Sequence, residues 1–409
     1  MSIENNNIGG IFIAGEGIAA ASVALRLLSQ GYVPRLVTLG RVITEGMEAI
    51  PEAAFSLLAE LGLEDAVAQA GGRIVEGFEN AWVPGAPVLR PGRWLHVERK
   101  AFAAAAIRLA LVRGAQVSMV KRLPPVPKRC LAAVDATGRS AAWSRPIRRQ
   151  GNQVADLFEM SSTAERGRIE RSADGWMYRI GSTVGLVSSQ RNRAAAPAGA
   201  RFLGRRPAFP QWCDNPVEGR RIAAGDAAFA YNPLAGQGIR FALASAFATA
   251  SVIQTWAEKG DRQAARRFYR GFVAQARIRH LEFLRKLELD VAPAVQSPLP
   301  AMVRFTGRSG RAELSVDSRI VRGQAILLDG PTAVRWIGGV DLLQLEQLAR
   351  KPVASAALLD HLTSAGVEPA RASAVLSWCL RKGVLKSLVT PTQRDSRCLK
   401  KQLRIFGTV

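Results

Sequence analysis

The stretch Gly15-Glu16-Gly17-Ile18-Ala19-Ala20 decides the fold class of this chain, because it follows a short apolar run and precedes a helical pattern. The apolar run, Ile8 to Ala14, predicts a buried strand, and Ser22 to Gln30 predicts a helix. Arg35 to Leu39 predicts a second strand. A strand, a G-x-G-x-x-A turn, a helix and another strand in this order are typical of a dinucleotide-binding site.

The small residues of this turn have defined physical tasks in such a site. Gly15 permits the tight turn, Gly17 lets a pyrophosphate approach the backbone, and Ala20 lets the helix pack closely on the strand. The free N–H groups at the helix start would face the phosphates. An acidic residue normally ends the second strand and holds the ribose hydroxyls, but Thr38-Leu39-Gly40-Arg41 stands there. Arg41 is predicted to face the adenosine or its phosphates instead.

Two further blocks follow predicted strands later in the chain. Leu131 to Val134 runs into Asp135-Ala136-Thr137-Gly138-Arg139, and Ile222 to Ala224 runs into Gly225-Asp226-Ala227-Ala228. A carboxylate at a strand end, such as that of Asp226, can accept hydrogen bonds from a ribityl chain. The order of the blocks favours a flavin nucleotide.

The last block opens a predicted helix that extends to about Trp256. It continues with Asn232-Pro233-Leu234-Ala235-Gly236-Gln237-Gly238, whose glycines leave room for a ligand at the helix start. The N–H groups there can face the pyrimidine edge of a flavin. A positive helix end would stabilise the anionic reduced form of that ring.

Composition limits the class of protein further. The chain has 409 residues, 48% hydrophobic and 22% charged, which excludes disorder, collagen and coiled coil. Its net charge of +23 favours an acidic partner, which nucleic acid, an anionic membrane or an acidic protein would each provide. The cysteines and histidines lack metal-ligand spacing, so no metal is predicted. No signal peptide or membrane span is recognisable, and a cytoplasmic location is predicted.

Taken together, the three blocks resemble the FAD-dependent monooxygenases with the p-hydroxybenzoate hydroxylase type of fold. The resemblance covers about residues 8 to 256. It implies an α/β FAD-binding domain of Rossmann type with an inserted mixed β-sheet substrate domain. The FAD-binding domain is predicted over 1–72, 96–150 and 215–291, and the substrate domain over 73–95 and 151–214.

Smaller motifs resemble the branch that contains tryptophan halogenases and the flavoproteins that mature protein-derived quinone cofactors. Glu48-Ala49-Ile50-Pro51 looks like the G-E-S-x-P segment of that branch, and Trp94 to Phe102 looks like H-L-D-R-x-x-F. Gly175-Trp176-Met177-Tyr178 looks like G-W-W-Y. The resemblance implies that Arg99 lies on the flavin side. It implies candidate catalytic residues at Glu48, Trp176 and Tyr178, each with a structural alternative such as core packing.

The resemblance also distinguishes halogenation from hydroxylation. Halogenases carry W-x-W-x-I-P, which Trp176 to Gly181 breaks, and an active-site lysine, which Leu63 to Arg99 lacks. The best fit is to hydroxylases of a peptidyl tryptophan in tryptophylquinone biogenesis, which act through a flavin C4a-hydroperoxide. The implied partners are an acidic protein substrate, together with its other maturation enzymes, and NAD(P)H or a flavin reductase. The alternative is a free small aromatic substrate, indole or phenol.

The C-terminal part, 301–409, predicts a small helical, winged-helix-like domain. Helical patterns cover Val340 to Ala349, Ser355 to Ala365 and Pro369 to Lys382, and Val384 to Val389 predicts a strand. Such a module in a basic protein commonly binds nucleic acid. Beside a flavin domain, docking of a protein partner is favoured over nucleic acid, and a stabilising cap is a third interpretation.

Overall fold

The computed structural model describes residues 9–40, 45–82, 86–172, 175–189, 195–288, 299–329 and 332–388. The chain divides into two compact units. The first comprises Met1–Asp290 and Asp317–Ile320, and the second comprises Val291–Val316 and Val321–Val409. Each unit has a hydrophobic core of its own.

The first unit contains two large sheets, one small sheet and six α-helices among the described residues. Its strands are β1 (Ile11–Ala14), β2 (Pro34–Thr38), β3 (Met47–Pro51), β4 (Arg73–Ala81), β5 (Val88–Glu98), β6 (Gln116–Met119), β7 (Ala132–Asp135), β8 (Ile147–Arg149), β9 (Gln153–Glu159), β10 (Gly167–Ser172), β11 (Gly175–Ile180), β12 (Thr183–Ser189), β13 (Arg201–Pro207), β14 (Gln211–Cys213), β15 (Val217–Glu218), β16 (Arg221–Ala223) and β17 (Phe229–Ala230). Its helices are α1 (Ile18–Ser29), α2 (Phe55–Leu61), α3 (Glu64–Gln69), α4 (Arg99–Val112), α5 (Gly238–Ala257) and α6 (Arg262–Glu288).

The first large sheet is the predicted nucleotide-binding sheet. Its order is β15-β16-β7-β1-β2-β6, and all of its strands run parallel except β15. The predicted unit of strand, turn, helix and strand is confirmed in β1, α1 and β2. Helix α1 begins four residues before the predicted start, because Ala20 and Ala21 are small enough to be fully buried in its first turn.

The second large sheet has eight strands in the order β13-β9-β12-β11-β10-β4-β5-β3. Its neighbours pair antiparallel except β10 and β4, which are parallel, so the sheet is mixed. Strand β3, assigned from the sequence to the nucleotide-binding domain, pairs with β5 at one edge of this sheet. The predicted boundaries of the FAD-binding and substrate domains stay a prediction.

The helical region predicted from Ser251 to about Val291 is interrupted in the structure. Helix α5 ends at Ala257 and α6 begins at Arg262. Lys259 has a φ of 58°, which a helix cannot continue. The Asp261 carboxylate then accepts hydrogen bonds from the N–H groups of Gln263, at 2.8 Å, and Ala264, at 2.9 Å, and so caps α6.

The second unit contains more strand than the sequence predicted. Its helices α7 (Leu342–Ala349), α8 (Ser355–Ser364) and α9 (Pro369–Arg381) confirm the three helical patterns, and its last strand confirms the predicted one. The expectation of a helical domain is corrected, because strands occupy most of 302–341. The strands are β18 (Met302–Phe305), β19 (Arg308–Val316), β20 (Arg319–Leu327), β21 (Ala333–Val334), β22 (Trp336–Ile337), β23 (Val340–Asp341), β24 (Val353–Ala354) and β25 (Leu385–Leu388).

Strand β18 lies between β24 and β25 in a three-stranded sheet, and residues of all three helices share one core with it. The likeness of this unit to a winged helix stays a prediction. None of the helices within the described ranges combines the length and the apolar character needed to cross a bilayer.

Candidate active site

A cavity of about 1440 Å³ lies at the carboxyl ends of the parallel strands of the first unit. One wall consists of the segments that follow β1, β2, β7 and β16, and of the start of α5. The opposite wall is the face of the eight-stranded sheet, with residues of β3, β5, β10, β11 and β13. Ligands of parallel α/β sheets bind at this edge. The volume exceeds the roughly 300–1,000 Å³ of an ordinary small-molecule pocket, so two ligands can share it.

Most of the sequence-predicted site residues line this one cavity, although they come from distant parts of the chain. Ala20 does not line it, because its side chain is fully buried in the core. Arg41 lies outside the described residues. Those on the cavity wall are Gly15, Gly17, Glu48, Arg99, Trp176, Tyr178, Asp226, Pro233, Gly236, Gln237 and Gly238.

The glycine turn after β1 is held against both neighbouring strands. Gly15 N donates to Val37 O at 3.0 Å, and a Cβ on Gly15 would lie 2.3 Å from Ala136 O. Its φ of 136° also disfavours any side chain. A Cβ on Gly17 would meet no atom within 4 Å, so the turn is open where a phosphate would approach. Helix α1 starts here with no side-chain cap and no acidic residue in its first turn, within the part of the chain that is described.

The Asp-Ala-Thr-Gly block serves to hold the turn after β7. Buried Asp135 accepts hydrogen bonds from Thr137 N at 3.1 Å, Thr137 Oγ1 at 2.6 Å and Trp143 N at 2.8 Å. These three bonds engage both carboxylate oxygens, which makes Asp135 a structural residue. Arg139 leaves this turn and donates to Phe209 O at 2.8 Å and Tyr231 O at 2.6 Å. Burial lowers the pKa of Arg139.

Asp226 is a carboxylate on the cavity wall, directly after β16. Burial raises its pKa, while the charges of Arg139, Arg99 and Arg206 oppose that rise. The described residues offer its side chain no hydrogen-bond donor, so a bound ligand can provide one. This is the behaviour expected of a carboxylate that accepts hydrogen bonds from ligand hydroxyls.

Asn232 positions the segment before α5, together with Gln153 and His280, which the sequence did not single out. Asn232 Oδ1 accepts from Leu234 N at 2.9 Å, and Asn232 Nδ2 donates to Gln153 Oε1 at 3.2 Å. The Asn232 backbone N–H donates to His280 Nε2 at 3.0 Å. Burial, aided by Arg139, lowers the pKa of His280 to about 4, so this ring is a neutral acceptor at pH 7.

Helix α5 begins at the cavity with free space beside its first residues, as α1 does. A Cβ on Gly236 or Gly238 would meet no atom within 4 Å. The helix has no side-chain cap and no acidic residue in its first turn, as far as the described residues go. Two helix N-termini that no described side chain caps therefore face one cavity, which suits an anionic ligand.

Charged residues cluster where the two walls meet. Arg99 Nη1 donates to Glu48 Oε1 at 2.9 Å, and Arg206 Nη1 lies 3.7 Å from the same oxygen. Burial, followed by the charge of Arg99, lowers the pKa of Arg206 to about 10. With Arg139 and Asp226, three arginines face two carboxylates at this point, which leaves net positive charge for a ligand. No sequence motif marked Arg206, because it reaches the site only through the pairing of β13.

The opposite wall carries a row of aromatic side chains. Trp176 and Tyr178 lie on the same face of β11, with ring centroids 5.7 Å apart. Trp82, which is not part of the cavity lining, packs against Trp176 with ring centroids 6.4 Å apart. Trp176 is 4% exposed and belongs to a small apolar core, so it both packs and lines the cavity. Burial raises the pKa of Tyr178 to about 12, with the Glu48 charge acting in the same direction. The Tyr178 hydroxyl is therefore protonated at pH 7.

No family model and no curated relative matches this chain, whereas solved structures match its fold. The fold is that of flavin-dependent hydroxylases and halogenases. The flavin-dependent halogenase CmlS has a TM-score of 0.63 at 15% identity, over 93% of this chain and 96% of that one. The flavin-dependent brominase Bmp2 has a TM-score of 0.60 at 16% identity, over 70% and 88%.

A particular hydroxylase is similar over nearly the whole chain. It is QhpG, a peptidyl tryptophan dihydroxylase essential for tryptophylquinone cofactor biogenesis. Its TM-score is 0.66 at 20% identity, and the match covers 94% of this chain and all of that one. The predicted likeness to this branch of flavoproteins is thus confirmed at the level of the fold.

Proposed function

We propose that the protein is an FAD-dependent monooxygenase that hydroxylates a tryptophan side chain within a partner protein, during biogenesis of a protein-derived quinone cofactor. One observation carries this proposal. A single cavity joins a nucleotide-binding sheet edge to an aromatic wall of the second sheet, so that a flavin and an aromatic ring can lie side by side.

The residues on the sheet-edge wall fit FAD. The open turn at Gly15 and Gly17 and the N-terminus of α1 would hold the pyrophosphate. Asp226 would accept hydrogen bonds from the ribityl chain, and the segment from Pro233 to Gly238 would face the pyrimidine edge. Bound FAD supplies the oxygen-activating chemistry, for which no side chain is suited. Arg99, paired with Glu48, would offset the negative charge of the cofactor.

The aromatic wall fits an indole ring. Trp176 and Tyr178 offer flat apolar surface that excludes water from the reacting ring. Because Tyr178 keeps its proton at pH 7, its hydroxyl can donate a hydrogen bond and cannot act as a base. Glu48, held between Arg99 and Arg206, can accept a hydrogen bond from an indole N–H. These contacts fix the ring position, which is the contribution that the protein makes to the reaction.

The choice of a protein substrate is supported by charge and by similarity. A net charge of +23 attracts an acidic protein and raises its rate of association. QhpG, a peptidyl tryptophan dihydroxylase, is similar in fold over 94% of this chain. NAD(P)H or a flavin reductase would supply the electrons.

The test compares FAD binding by the wild type and by an Asp226→Ala variant, measured as the change in flavin fluorescence during titration. We expect the wild type to bind FAD and Asp226→Ala to lose roughly tenfold or more in affinity, because a hydrogen bond to a charged group contributes about 1.5–3 kcal/mol. Asp65→Ala, at an exposed position on α3, is the matched control and should bind as the wild type does. A wild type without FAD affinity, or equal affinity in both variants, would contradict the proposal.

Oxidation by the reduced, FAD-loaded protein in the presence of O2, which supplies the oxygen atoms, then identifies the substrate. An acidic protein that contains the target tryptophan should gain oxygen atoms, whereas free indole should not react. Reaction with free indole or phenol and none with proteins would favour the small-molecule alternative.

A further inference from the structure

The proposed FAD site has no acidic residue at the carboxyl end of β2, among the described residues. Dinucleotide-binding folds place an acidic residue there, which binds the ribose hydroxyls. In this chain β2 ends at Thr38, and Leu39 and Gly40 follow, so the strand end itself supplies no carboxylate.

The carboxylate of Glu16 reaches this position from the neighbouring strand. Glu16 lies between Gly15 and Gly17 in the turn after β1, and its Oε2 accepts a hydrogen bond from Thr38 Oγ1. The Thr38 hydroxyl in turn accepts from Gly40 N at 3.1 Å. The Thr38 side chain thus orients the Glu16 carboxylate at the end of β2.

The backbone of the turn supports this placement. Gly15 N donates to Val37 O, which ties the turn to β2 one residue before Thr38. Glu16 is half-buried and lines the cavity together with Val37 and Leu39. It also directly precedes Gly17, the residue before α1, where the helix dipole stabilises a negative charge.

We propose that Glu16 binds the hydroxyls of the adenosine ribose of FAD, and that Thr38 is its positioning residue. This inference rests on the proposed function, since it requires that FAD binds in the cavity. The glycine turn would then bind both the pyrophosphate, through its backbone, and the ribose, through its one long side chain. Lys121 and Arg122, on the same cavity rim, offset the carboxylate charge beside the phosphates.

The experiment compares FAD with an analogue that lacks the 2′-hydroxyl of the adenosine ribose, by fluorescence titration of the full-length protein. We expect the wild type to prefer FAD by roughly tenfold to a hundredfold, the range of a hydrogen bond to a charged group. Glu16→Gln should bind FAD more weakly by a similar factor and lose most of the preference. Glu60→Gln, which replaces an exposed carboxylate on α2, is the matched control and should keep both the affinity for FAD and the preference for FAD over the analogue.

Thr38→Val is the second variant, which removes the orienting hydroxyl and leaves the glycine turn intact. It should lose part of the preference, and Thr38→Ser should restore it. An unchanged preference in Glu16→Gln overturns the inference and leaves FAD binding standing. Tighter FAD binding by Glu16→Gln also overturns it, because the carboxylate would then oppose the phosphates. A wild type that binds neither compound contradicts the proposed function as well.

Discussion

Substitution of Gly185 tests how the aromatic wall of the cavity is built. Gly185 on β12 pairs with Tyr178 on β11. A Cβ at Gly185 would lie 2.2 Å from Tyr178 Cε1 and Cζ and 2.7 Å from its hydroxyl oxygen. Carbon atoms in contact are about 3.5–4.0 Å apart, so Gly185→Ala must move the ring by more than about 1 Å. Forcing such a shift in a packed site costs about 1–3 kcal/mol.

A double-mutant cycle isolates this steric contact. Thermal unfolding would be measured by calorimetry for the wild type, Gly185→Ala, Tyr178→Ala and the double variant. We expect Gly185→Ala to lower the melting temperature by roughly 2 °C or more in the wild type and to have little effect when Tyr178 is alanine. Additive effects of the two substitutions would refute the reasoning, because they would show that the ring does not lie over Gly185. Turnover should fall in Gly185→Ala while FAD affinity is kept.

Two further predictions concern His280 and Gly15, both in the first unit. Stability should decrease as the pH falls from about 6.5 to about 4, because His280 is neutral in the folded protein and takes up a proton on unfolding in that range. Over this range the free energy of unfolding should fall by about 3 kcal/mol. Calorimetry should show a weaker dependence of stability on pH for His280→Gln than for the wild type. An identical pH dependence in the two proteins would contradict the burial of His280. Gly15→Ala should destabilise the protein by about 2 kcal/mol or more and abolish FAD binding, because its Cβ would overlap Ala136 O. Gly31→Ala is the control, because Gly31 also has a positive φ but a Cβ there would meet no atom within 4 Å. It should lower the free energy of unfolding by only about 1 kcal/mol and leave FAD binding intact. Equal effects of Gly15→Ala and Gly31→Ala would refute the steric argument.

The sequence predicted the nucleotide-binding sheet and the glycine-containing turns of the cavity wall because both depend on short-range patterns. Each glycine block follows a buried strand directly, so the parallel sheet brings the blocks after β1, β7 and β16 to one edge. Trp176 and Tyr178 were found through the resemblance of Gly175-Trp176-Met177-Tyr178 to G-W-W-Y, and they share a face because they are two residues apart in one strand.

What the sequence missed depends on contacts between distant segments. His280 reaches Asn232 across 48 positions, from the middle of a helix whose pattern is dominated by arginine. Arg206 enters the site through β13, one of many arginine-rich stretches. The apparent absence of a ribose-binding acid arose because only the end of β2 was considered, whereas the Glu16 side chain reaches that end from the adjacent turn.

The strands at the start of the second unit also escaped prediction. Strands β19 and β20 are rich in arginine and show little alternation of buried and exposed residues. Their connection is a two-residue turn, Asp317 and Ser318, both with positive φ. This conformation usually requires Asn-Gly or Asp-Gly, so its sequence signal is weak here.

The most direct test of the central claim is the mass of the protein on which this chain acts. The tagged protein would be used to capture its partners from the native host, and the intact mass of each partner would be compared between cells with wild-type protein and cells with Asp226→Ala. We predict an acidic partner that is heavier by one or two oxygen atoms only with the wild type, with the added oxygen on a tryptophan. Partners of unchanged mass, together with oxidation of free indole by the purified protein, would contradict a protein substrate.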